Sequence, residues 1–143
     1  MSQEIVKAND NAIDFAIPNG FICTLDMTTI DGKMAAVAAL NGAQSMRDMV
    51  GETLRVKDFM TTPGVRSRTG EACINSYLIC DDGNVYFTQS TGIAESLRYL
   101  AGAFIDVSTG KLMDLIESGI GLQIREQNLS NGNTLKTVVP VKL

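Results

Sequence analysis

The chain has 143 residues, with 12 Lys and Arg against 16 Asp and Glu, a net charge of −4, 45% apolar residues and no His. That length suits one domain with a full core, and the composition excludes a chain disordered throughout. The missing imidazole excludes Ser-His and Cys-His catalysis and removes the commonest metal ligand.

Residues 1–18 read as a polar N-terminal arm in which Ile13, Phe15 and Ile17 form a short apolar stripe ending at Pro18-Asn19-Gly20. Residues 19–143 read as the domain. From Phe21 to Met27 the pattern alternates, with Phe21, Cys23, Leu25 and Met27 on one side, and Asp31-Gly32 follows as a tight-turn signal. Lys33–Leu40 is too Ala-rich to classify by propensity, and is expected to return as the second strand of a hairpin. Ser45–Val50 reads as a helical turn or loop. In Thr53–Thr62, Leu54 and Val56 point inward while Arg55, Lys57 and Phe59 share the opposite face. Thr61–Gly70, with one Pro, two Gly and two Arg, reads as a long exposed loop.

The clearest hairpin is Glu71–Cys80 and Asn84–Gln89 around Asp81-Asp82-Gly83. There Ile74, Leu78 and Cys80 look inward, and Cys73, Asn75, Tyr77 and Ile79 occupy the other face. The clearest helix follows. Ser90, Thr91 and Gly92 are capping residues, and Ile93, Leu97, Leu100, Ala101 and Phe104 recur at helical spacing. On that helix Tyr99 reads as a packing position and Arg98 as a solvent one. Leu112, Leu115 and Ile116 suggest a second short helix, and Ile120–Gln127 with Leu135–Val141 a last hairpin around Ser130-Asn131-Gly132-Asn133. The fold class expected is mainly β (β+α): a small antiparallel barrel of the oligonucleotide/oligosaccharide-binding (OB) type, with a helix inserted before the last hairpin.

The cysteines, Cys23, Cys73 and Cys80, are odd in number and lack a CxxC spacing, so they read as free thiols in a reducing compartment. The first residues lack the basic start and apolar run of a signal peptide, and no apolar stretch reaches the roughly 18 residues of a membrane span. A cytoplasmic location without membrane partners is expected. Asp81-Asp82 reads as a turn, and Gly119-Ile120-Gly121 lacks the third glycine of a dinucleotide fingerprint.

A basic domain is the usual footprint of nucleic-acid binding, so a net −4 argues against it. The distribution of charge argues the other way. Residues 47–68 hold five bases (Arg47, Arg55, Lys57, Arg66, Arg68) and three acids, a net +2 against −6 for the remainder. Single-strand binding needs cations along the phosphates and flat side chains under the bases. Arg55, Lys57 and Phe59 carry both types at period-two spacing, Arg66 and Arg68 could close over a strand, and Tyr77 could extend the stacking platform. A solvated face with one stray Phe is the plain alternative, and a packing role suits each Tyr as well as stacking.

The stretch CINSYLICDDGNVYFTQSTGIAESLRYL adds a resemblance. Its strand ending in Tyr77-Leu78-Ile79, its Asp82-Gly83 turn, Tyr86-Phe87-Thr88, Ser90, and the helix opening Gly92-Ile93-Ala94 resemble the small single-stranded DNA-binding proteins of Gram-positive conjugative plasmids and phages. The resemblance runs from about Gly51 to Val141. It implies an OB-like fold that binds single-stranded DNA without strong sequence preference during replication or transfer of a mobile element. It also implies a non-enzymatic role with no cofactor and no metal. Departures from the housekeeping single-strand binding proteins are the lack of Trp and of a long acidic C-terminal tail. Binding of RNA stays open. The rival expectation is a structural or assembly protein that binds no nucleic acid and self-associates through the arm.

Overall fold

A computed structural model of the chain describes residues 21–143; the expected arm, with Ile13, Phe15 and Ile17, lies outside the described residues. Among the described residues the first regular element is a helix, α1 (Ile30–Gly42), where a return strand was expected. Thr29 caps it, its Oγ accepting the Gly32 N–H at 3.0 Å, and the Ala-rich body that follows has the highest helix propensity of any residue type. Gly32 is inside the helix and not in a turn, because the chain doubles back there: a Cβ on it would lie 1.9 Å from the Asp26 carbonyl oxygen. The expected strand from Phe21 to Met27 shrinks to a single bridge, Cys23 opposite Met60, with Thr24 N–H donating to the Phe59 carbonyl.

Then come β1 (Gln44–Ser45), a 3-10 turn at Arg47–Met49, β2 (Thr53–Leu54), β3 (Val56–Val65), β4 (Ala72–Cys80), β5 (Val85–Thr88) and α2 (Thr91–Phe104). The remaining strands are β6 (Ile105–Asp106), β7 (Lys111–Leu112), β8 (Ile120–Asn128) and β9 (Thr134–Lys142). The described residues are thus mainly β with two α-helices, and α2 does precede the last hairpin, β8–β9. No second helix forms at Leu112–Ile116; β7 and turns occupy that stretch, and Leu115 is buried in the core. Half of the expected exposed loop is also strand: Thr61 and Thr62 are buried in β3, and the loop proper is Arg66–Glu71.

The strands form a four-stranded sheet in the order β1-β5-β4-β3, a three-stranded sheet β2-β8-β9 and a β6-β7 ribbon; among the described residues they do not close into one barrel. The four-stranded sheet is covered on both sides. On one side Phe59, Leu78, Ile93, Leu97, Leu122 and Ile124 join it to α2 and the second sheet. On the other, Met60, Tyr77, Ile79 and Val85 pack on Ala36 and Ala39 of α1. Ser76 to Cys80 are therefore buried in an unbroken row. The long edge strand β9 is guarded: Ser96 Oγ of α2 accepts the Val138 N–H at 3.1 Å, and Pro140 offers no N–H at all. No helix of the described residues is long and apolar enough to cross a membrane.

Candidate nucleic-acid interface

β3 decides where the six expected binding residues go. Its pairing with β4 slips between Val56 and Asp58, so Lys57 is a bulged residue with no partner opposite. Upstream of the bulge, Leu54 and Val56 are buried and Arg55 is exposed, as period two requires. Downstream the alternation has moved by one, and Phe59 falls on the Val56 side, fully buried. It presents no ring to a base, which corrects the expected stacking role. Tyr77 is corrected as well. The face assigned to it is the one α1 covers, leaving it 6% exposed, with its ring 5.3 Å from that of Phe87.

The cations divide between the two ends of β3. At one end Arg55 Nε donates to Asp81 Oδ2 at 2.8 Å, an ion pair that occupies its guanidinium. Lys57 lines a small polar hollow with Asp58 and Asp114. Nine residues of extended chain, about 30 Å, separate Lys57 from Arg66. The structure therefore does not bring the six residues onto one face.

Arg66 and Arg68 stand at the other end, in the loop that joins β3 to β4. Arg66 N–H donates to the Glu71 carbonyl at 2.9 Å and Gly70 N–H to the Arg66 carbonyl at 2.8 Å; Gly70 takes φ +74°, which a glycine adopts without strain. Arg66 Nη2 donates to the Gln89 carbonyl at 3.2 Å. Gln89 Nε2 in turn donates to Asn75 Oδ1 at 3.0 Å and to the Val65 carbonyl at 3.3 Å. Asn75 lies over Gly64 so closely that a Cβ there would be 2.3 Å from its Oδ1. The loop is braced by Asn75 of β4 and by Gln89, which lies between β5 and α2. Its own carboxylate, Glu71, accepts from Thr69, and among the described residues neither Arg66 nor Arg68 forms an ion pair.

Asn75 and Gln89 carry no sequence signal as braces, being ordinary polar residues at strand ends. Tyr99 did carry one: it lies off the Ile93, Leu97, Leu100 stripe of α2, and it is 67% exposed where packing was expected. Arg98 beside it is exposed and paired with Glu95.

Two electrostatic features bear on stability. Asp58 is half-buried, and that burial pushes its carboxyl up, with Asp114 adding to the effect; the Thr24 hydroxyl, donating at 2.8 Å, and Lys57 oppose it. The native state therefore holds the Asp58 proton more tightly than the unfolded chain does, so this group's contribution to stability falls as pH rises past its ordinary value near 3.8. Asp58→Asn is expected to melt higher than wild type at pH 7 and to lose that advantage near pH 3, as read by thermal unfolding across pH. An equal melting temperature at both pH values would show that burial of the charge costs nothing. Cys80 is held as a thiol, its pKa pushed up to about 12 chiefly by burial and then by Asp82 and Asp81.

No family model, no curated protein and no solved structure matches the chain. The class that the fold of the described residues defines is a mainly β domain of a four-stranded sheet, a three-stranded sheet, a two-stranded ribbon and two α-helices.

Proposed function

We propose that this chain binds single-stranded DNA, largely without regard to sequence, through phosphate contacts made by the β3–β4 loop. One observation carries the reading: Arg66 and Arg68 stand two residues apart on a braced loop, without an ion pair among the described residues, and the loop's own carboxylate, Glu71, accepts from Thr69. Unpaired arginines are expensive in neither folding nor desolvation when exposed, and they release phosphate counterions on contact. The succession of hairpin, helix and hairpin, together with the resemblance carried by residues 73–100, supports an OB-like domain acting in replication or transfer of a mobile element. A fluorescence-anisotropy titration against single-stranded DNA, duplex DNA and RNA at two salt concentrations tests it. Tightest binding to single strands is expected, and no binding to any of the three refutes it.

A second reading, assembly, is favoured by α1. Its body carries only Asp31 and Lys33 as charges, and its outer face exposes Ile30 at 69%, Met34 at 65% and Val37 at 58%. Such a face is unusual on a helix that stays solvated. Three side chains fall short of the roughly 800 Å² per partner of a stable dimer, so self-association through this face would be weak and concentration-dependent. In sedimentation velocity, Met34→Lys is expected to lower the wild-type association, and deletion of residues 1–18 tests the arm separately. A wild-type chain that stays monomeric at every concentration, with and without DNA, removes this reading.

A further inference from the structure

The seam between α2 and β9 starts beside the braced loop. Arg66 reaches the Gln89 carbonyl just before the Ser90 cap; Gly92 then sits against the Lys136 carbonyl, where a Cβ would be 2.2 Å away, and Ser96 Oγ takes the Val138 N–H one turn later. Beyond them the seam opens into a groove of about 390 Å³ lined by Ser96, Tyr99, Phe104, Val138 and Pro140 among others. Tyr99, nine residues and about 13 Å along α2 from Ser90, stands at that groove with its side chain largely in solvent.

We infer that the groove is a base-binding slot and that Tyr99 stacks one unpaired base of a strand whose phosphates lie on Arg66 and Arg68. The inference rests on the single-strand reading above and assigns the stacking residue that buried Phe59 and Tyr77 cannot be. Among the described residues Tyr99 is the most exposed aromatic, and it shares the groove with the Phe104 and Pro140 rings. The volume admits a flat heterocycle, and the lining is mostly apolar, as a base face requires. Glu95, the nearest acid on the same helix, is taken by Arg98 and does not stand free to repel a phosphate. The loop and the groove are joined by the α2–β9 seam, so one strand running along α2 can reach both.

Stacking and phosphate contact leave different traces in salt. A stacked base contributes roughly 1–3 kcal/mol and releases no counterion, whereas a lost phosphate contact lowers the salt slope. With a labelled oligothymidine titrated at several salt concentrations, Tyr99→Ala is expected to weaken binding roughly 5- to 140-fold with the wild-type salt slope, and Tyr99→Phe to restore it. Arg66→Ala, in contrast, is expected to flatten the slope. Because Tyr99 is exposed, the melting temperature of each variant should stay at the wild-type value. If wild type binds and Tyr99→Ala binds equally well, or changes only the slope, the slot is overturned and the loop stands. If wild type does not bind the oligonucleotide at all, both readings fall.

Discussion

Phe59→Ala is expected to cost about 3–5 kcal/mol of stability, the usual penalty for emptying a fully buried aromatic site. Phe59 is 0% exposed and packs with Leu78, Leu97 and Leu122 at the junction of both sheets and α2. These neighbours belong to three different elements, β4, α2 and β8, and cannot all move in to fill the space. Urea unfolding measures the loss directly. Phe59→Leu keeps the site apolar and separates stability from binding: the folded variant should hold an oligonucleotide as tightly as wild type. Lower affinity in a folded Phe59→Leu protein would return the ring to the interface.

Arg66→Ala combined with Arg68→Ala is expected to weaken single-strand binding roughly tenfold to a hundredfold at low salt, two charge-assisted contacts being lost. The salt slope should drop by about 1.4, at roughly 0.7 per phosphate on a single strand. Stability should hardly change. Arg68 is exposed, and Arg66, half-buried, gives up a single side-chain hydrogen bond to the Gln89 carbonyl. Anisotropy titrations beside a melting curve check both halves. An unchanged affinity removes the loop from the interface, and a lost melting temperature would recast Arg66 as a structural tie.

Much of the fold was legible because it is written in local chemistry. Gly83 and Gly132 take φ of +90° and +86° in the turns where Asp82-Gly83 and Asn131-Gly132 pointed to hairpins. Ser90 accepts the Ile93 N–H exactly where a cap was expected, and the stripe it introduces is buried. What escaped is non-local. The bulge at Lys57 is a fact about pairing with β4 and leaves no mark on the spacing Arg55, Lys57, Phe59, yet it turns Phe59 inward. A strand with one face on the core reads like a strand with both faces covered until the covering helix is known. α1 is hard to read because alanine suits a buried helix face as well as a crowded strand, and the Asp31-Gly32 turn signal masks the Thr29 cap. Of the site, the loop arginines could be read from sequence; the braces Asn75 and Gln89 could not. The exposure of Tyr99 follows from its angle to the apolar stripe.

The charge division that first pointed to nucleic acid is narrower in three dimensions than along the chain. Arg55 is paired with Asp81 and Lys57 shares its hollow with two carboxylates, which leaves, among the described residues, Arg47 at the 3-10 turn and the Arg66, Arg68 pair of the β3–β4 loop as the unpaired bases of that segment.

The most direct measurement is the dependence of wild-type affinity for a short single-stranded oligonucleotide on salt concentration. Binding through Arg66 and Arg68 predicts a straight log–log fall with a slope of about −1.4 or steeper. A flat response, or no binding at low salt, would contradict the account.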